Sequence, residues 1–116
     1  MVDKKELEKK LCRLMDEISE IEGLIALDNK GTLLVGQTIT EMDKAAIGKA
    51  AFETFSKAKA LGKATAKGGI QAMNLTLEKG SCCIVGNDSL IIFSLQGTDA
   101  ANSIALILRS IKACLS

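Results

Sequence analysis

Ile21-Glu22-Gly23-Leu24-Ile25-Ala26-Leu27-Asp28, followed after Asn29 and Lys30 by Gly31-Thr32-Leu33-Leu34-Val35, is the stretch from which the fold is read. Two short apolar runs, Leu24 to Leu27 and Thr32 to Val35, flank Asp28-Asn29-Lys30-Gly31. Asp, Asn and Gly tolerate the positive φ that tight hairpin loops require, so the stretch predicts a hairpin. Both runs are almost continuously apolar, which predicts strands covered on both faces.

Working outward, Asp3 to Glu22 predicts a helix: Leu7, Leu11, Leu14, Ile18 and Ile21 recur at spacings of three and four, Met15 widens the stripe, and Gly23 reads as the stop. Thr40 to Leu61 predicts a second helix, with Thr40 as cap and Asp43 three residues on. Its sheet-facing line is Ile47, Ala51, Phe55, Ala58 and Leu61. A second strip of Ala45, Gly48 and Phe52 lies roughly opposite, and Lys49, Glu53 and Lys57 mark a wet face. After a connector from Gly62 to Gly69, Ile70 to Glu78 alternates Met73, Leu75 and Leu77 against Ala72, Asn74, Thr76 and Glu78, the period of a strand with one wetter face. Lys79-Gly80 turns into Ser81 to Val85, and Gly86-Asn87-Asp88 turns into Ser89 to Leu95. Thr98 or Asp99 caps a last helix to about Leu115, with Ile104, Leu108, Ile111 and Leu115 as its stripe.

The order is α-β-β-α-β-β-β-α in one domain spanning residues 1–116. The expected fold class is an α/β (α+β) sandwich: a five-stranded, mainly antiparallel sheet with helices on both faces, in profilin-like layering.

Composition narrows the chemistry. Fifteen Lys and Arg against fourteen Asp and Glu leave a net charge of +1, without the basic footprint of a nucleic-acid binder, and the aromatics are three Phe. His is absent, which removes Ser-His-Asp and Cys-His nucleophile pairs. Cys12, Cys82, Cys83 and Cys114 have no Cys-x-x-Cys spacing and read as small buried hydrophobes; Cys82 and Cys83, adjacent in a strand, point to opposite faces. Gly62-Lys63-Ala64-Thr65-Ala66-Lys67-Gly68-Gly69 has the residues of a phosphate loop in the wrong order, and Asp28-Asn29-Lys30-Gly31 lacks the downstream oxygens of a calcium loop. No catalytic residue, metal ligand or cofactor site is expected, and the chain is read as a non-enzyme. Charges fill the first residues and no apolar run approaches the roughly 20 residues of a membrane span, so a cytoplasmic protein without membrane insertion is expected.

The sequence does offer surface for association. The segment 70–78 has no Pro and no interior Gly to blunt it, so at a sheet edge it would be open to another chain. Gly48 costs about 1 kcal/mol relative to Ala inside a helix, and close approach of a second helix would account for it.

The element order and the run Ile21 to Asp28 with Gly31 to Val35, together with Leu90-Ile91-Ile92-Phe93-Ser94-Leu95 before a capped helix, resemble the Roadblock family of dynein light chains and GTPase regulators. The resemblance implies a homodimer, or a heterodimer with a related Roadblock subunit. In that family the third strands pair into one continuous sheet and the second helices lie side by side. It maps the interface onto Ala45, Gly48, Phe52, Ala72, Met73, Asn74, Leu75, Thr76 and Leu77. It implies a small Ras-like GTPase as partner, met by Lys49, Phe52, Glu53 and Lys57, and no nucleic acid. No long segment follows Leu115, so binding is expected rather than activation, and Arg13 and Arg109, the only arginines, read as solvated helix residues rather than a finger in trans. The alternative expectation is a structural light-chain subunit of a motor or signalling complex that binds a peptide or helix. A small-molecule sensor is a third, disfavoured because the Leu, Ile and Ala core offers no convergent polar groups.

Overall fold

The computed structural model describes residues 3–115. Helix α1 spans Lys4–Glu17, β1 Ile21–Asp28, β2 Leu33–Thr38, α2 Lys44–Ala64, β3 Ala72–Leu77, β4 Gly80–Gly86 and β5 Leu90–Gln96; a 3-10 helix, Thr98–Ser103, leads into α3, Ile104–Ala113. The order is the expected one. All neighbouring strands are antiparallel, and their spatial order is β2-β1-β5-β4-β3.

Strand alternation splits the core in two. Leu24, Ala26, Cys83, Val85, Leu90 and Ile92 turn to one face and pack under Leu7, Leu11 and Leu14 of α1 and Ile107 and Ile111 of α3. Ile25, Leu27, Cys82, Ile84, Ile91 and Phe93 turn to the other and pack under Ala51 and Phe55 of α2. The sheet is therefore the middle of three layers, and Cys82 and Cys83 do face opposite ways. Burial raises the thiol pKa of both, which keeps them neutral.

Several boundaries differ from expectation. Neither Thr98 nor Asp99 caps the last helix: both lie in the 3-10 turn, and α3 begins at Ile104 without a side-chain cap. β3 is shorter than expected, Ala72–Leu77. Asp3 caps α1 by accepting from Lys5 N and Glu6 N. The helix then ends at Glu17, not Glu22, because Ile18 turns extended and Ile21 enters the sheet, where both are buried. Gly23 is thus a strand residue rather than a stop; a Cβ there would sit 3.1 Å from Thr38 Cγ2. In α2 the cap is Asp43, whose Oδ1 accepts from Ala46 N at 3.1 Å, rather than Thr40. The helix continues through Gly62 to Ala64, and Gly62 makes room for the returning backbone at Gly68, whose carbonyl a side chain there would strike. The β1–β2 turn is built by Asp28, whose Oδ1 accepts from Lys30 N and Thr32 N, both at 2.9 Å, while Gly31 supplies φ +87. Those two backbone donors hold the Asp28 carboxyl below its usual pKa. Among the described residues no helix is long and apolar enough to cross a membrane.

Candidate interaction site at the β3 edge

β3 is an edge strand, paired only with β4, in an unbroken register from Ala72 opposite Val85 to Leu77 opposite Gly80. Which of its backbone groups are free follows from strand parity. Asn87 N donates to Leu90 O at 2.9 Å across the β4–β5 turn, so odd-numbered β4 residues direct their amides to β5. Gly80, Cys82 and Ile84 therefore address β3, where they meet Leu77, Leu75 and Met73. The N–H and C=O groups of Ala72, Asn74 and Thr76 point away from the sheet, and their side chains are exposed.

The two faces of this edge differ in chemistry. On the α2 face, Met73 and Leu75 are half-buried and Leu77 is 53% exposed. Ala58, Leu61 and Gly62 of α2, with Ile70 and Met73, line an apolar groove of about 540 Å³, and Leu61 is 66% exposed on its rim. On the α3 face, Asn74, Thr76, Ser81, Thr98 and Ile104 line a more polar hollow of about 260 Å³. Behind it lies a buried chain that sequence reasoning missed. Gln96 is fully buried; its Nε2 donates to Ser81 Oγ at 3.1 Å and Cys83 Sγ at 3.2 Å, and its Oε1 accepts from Ser94 Oγ at 2.9 Å. Cys83 Sγ in turn lies 3.8 Å from Asn74 Oδ1. The core thus does hold convergent polar groups, contrary to the expectation from its Leu, Ile and Ala content. These groups satisfy one another, as burial demands.

The expected α2 strip needs correction. Gly48 is buried against the chain's own sheet: a Cβ on it would lie 2.8 Å from Leu27 Cδ2. Phe52 is half-buried, with its ring seated on the β1–β2 turn 2.8 Å from where a Gly31 Cβ would be. The missing side chain at Gly48 leaves room for α2 to lie close on β1; Phe52 is half-covered, and Leu61, expected to meet the sheet, is exposed. Ala45 is exposed but sits on the Phe52 flank, away from β3. The flank beside β3 carries Ala50, Ala58 and Leu61. Lys49, Glu53 and Lys57 are exposed on the outer face, as read from their spacing. The signal for the flank beside β3 was the spacing of Ala50, Ala58 and Leu61, which places them on the side away from Phe52.

Among the described residues no three His, Cys, Asp or Glu side chains come together as a metal site.

No family model and no curated protein sequence matches the chain. Solved structures do. Myxococcus xanthus MglB superposes with a TM-score of 0.83 at 11% identity, covering 98% of this chain and 90% of that one. A structure described as MglB with tetrameric arrangement gives 0.81 at 11% identity, with 94% and 83% covered. A Roadblock/LC7 domain from Streptomyces avermitilis gives 0.76 at 12% identity, with 91% and 94% covered.

The chain has the Roadblock fold. Its sheet order, the hairpin at Asp28 and the single helix α2 over one face are the Roadblock layout, so the resemblance read from Ile21 to Val35 holds at the level of fold.

Proposed function

We propose that the chain is a non-catalytic cytoplasmic adaptor that dimerises through β3 and the adjoining α2 flank, and that the dimer binds and scaffolds or regulates a Ras-like small GTPase. The observation that carries the dimer is the open edge: free backbone groups on Ala72, Asn74 and Thr76 stand next to an apolar groove bordered by Leu61 and Leu77. A sheet edge without protection templates pairing with another strand. The Roadblock fold supports the GTPase as partner, as does the outward charged row Lys49, Glu53 and Lys57 on α2. One of the similar structures, an MglB, is described as tetrameric, in keeping with a fold that assembles.

The same open edge also supports a second reading, a light-chain subunit that takes an extended peptide or helix from a larger complex. Light scattering after gel filtration under reducing conditions separates the two. A mass of twice 12.3 kDa that persists on dilution supports the dimer. A monomer that changes mass only when peptide is added supports the light-chain reading. For the dimer, titration against Ras-like GTPases of the same cell, in GDP-bound and GTP-analogue-bound forms, tests the partner. Failure of every such GTPase to bind in either state sinks the GTPase assignment.

A further inference from the structure

The direction of the free backbone groups on β3 goes further than the dimer reading on which it rests, because it restricts how a second copy can sit. We infer that a second copy pairs antiparallel with β3 with Asn74 on the twofold axis, so that Ala72 faces Thr76 and Met73 faces Leu75 of the second copy.

Only even-numbered β3 residues offer outward N–H and C=O groups. In a symmetric antiparallel pair even must therefore face even, which places the axis on a residue and not between two. Within Ala72–Leu77 the central choices are Met73, Asn74 and Leu75. An axis on Asn74 brings all three outward residues into hydrogen-bonded pairs: Ala72 with Thr76, Asn74 with Asn74, and Thr76 with Ala72. An axis on Leu75 uses only Asn74 and Thr76, and leaves Ala72 opposite the turn residue Glu78. An axis on Met73 uses only Ala72 and Asn74. Each unused edge residue keeps a donor and an acceptor beside a dehydrating seam, which penalises both alternatives.

The side chains agree with this register. On the α2 face Met73 and Leu75 become a non-hydrogen-bonded cross-strand pair, the closer kind, and extend the apolar groove across the axis. On the α3 face the two Asn74 amides meet on the axis, where each can donate to and accept from the other. A buried polar pair of this kind disfavours slipped registers, in which each amide would face an alkyl group or a lone hydroxyl. The two hollows lined by Asn74 and Thr76 then join into one polar trench along the seam.

The test uses the native chain. Dimers are assembled from isotope-labelled and unlabelled copies after the mass has been read by light scattering, and contacts between copies are collected by filtered NMR. The expected result is a strong contact between Met73 Hα and Leu75 Hα of the other copy. A Leu75 to Leu75 or Met73 to Leu77 contact in a dimer overturns the register and leaves the dimer reading intact. A dimer with no contact between β3 strands overturns the seam itself. A monomeric mass overturns the dimer reading and this inference with it. Disulfide trapping supplies an independent readout. In the inferred register the paired Asn74 Cα atoms stand about 5.5 Å apart, within disulfide reach, whereas two Leu75 Cα atoms stand about 8 Å apart, beyond it. Asn74→Cys with Cys83→Ser is expected to cross-link to itself at least about tenfold faster than Leu75→Cys with Cys82→Ser, the native cross-strand neighbours being removed in each. The reverse order overturns the inference.

Discussion

β2 and β3 are both six-residue edge strands of the same sheet, yet β2 is half-buried along its whole length while Ala72, Asn74, Thr76 and Leu77 of β3 are exposed. The β2 edge is defended in several ways. α1 closes on it, with Gln37 Nε2 donating to Cys12 Sγ at 2.7 Å. Lys44 lays its methylenes against Gly36, so close that a Cβ there would lie 2.8 Å from Lys44 Cδ. A register shift between Ala26 and Leu27 breaks the regularity of the β1–β2 ladder. β3 has no bulge, no Pro and no Lys, and four of its six residues are exposed. Lysine, bulges and covering elements are the usual means of keeping an edge from pairing, so β3 is the less protected of the two edges.

The contrast can be broken experimentally, and the largest effect is expected at the axis. Asn74→Pro removes an outward N–H without touching the β4 ladder. It should weaken self-association by about 100-fold while thermal unfolding of the monomer moves little; sedimentation equilibrium and a melting curve read the two. If the protein unfolds instead, the strand parity is wrong. On the defended side, Gly48→Val drives a side chain into Leu27 and should cost about 1–3 kcal/mol in urea denaturation, with self-association unchanged at concentrations where the variant is folded. A weakened dimer in a fully folded variant would return Gly48 to the interface.

Leu61→Glu sharpens the comparison at the groove. It places a carboxylate on the β3 flank, and about a tenfold loss of self-association is expected, with monomer stability within about 0.5 kcal/mol of the parent. The smallest effect belongs to the turn that holds the defended hairpin. Asp28 has its carboxyl pKa lowered in the folded chain, chiefly by the Thr32 and Lys30 amides. Its stabilising contribution is therefore present above the unfolded-state pKa and disappears as pH falls through the lower folded value. Asp28→Asn should melt slightly below the parent at pH 7, and the difference should shrink on acidification below about pH 4. A difference that grows in acid would contradict the assigned cause.

Much of this architecture was legible in residue order. The alternation of Met73, Leu75 and Leu77, the apolar runs around Asp28 and the heptad-like stripe of α1 each carry one dominant period, and period is what burial imprints on sequence. α2 was legible as a helix but not in its rotation. Alanines occupy several of its faces, and the residue that decides its contact is Gly48, whose role is to have no side chain. The strip Ala45, Gly48 and Phe52 was therefore expected to stand open to a second helix, whereas Gly48 is buried against Leu27 and Phe52 is half-covered; β3, read as an edge, is one. Gln96, Ser94 and Ser81 escaped for a different reason. Singly, each reads as a surface or turn residue, and only the β4–β5 register brings them into mutual reach. The early end of α1 was also hidden, because Ile18 and Ile21 suit a helix stripe and a strand equally.

If β3 pairs with a second copy, the condition of the protein is tied to its abundance. Under the adaptor reading, halving the number of copies in a cell does more than halve the number of platforms: mass action also shifts the survivors toward single chains, each carrying an exposed edge to the proteases and chaperones that patrol for one. Supply and quality control would then act together as a threshold on assembly, set by six residues of backbone.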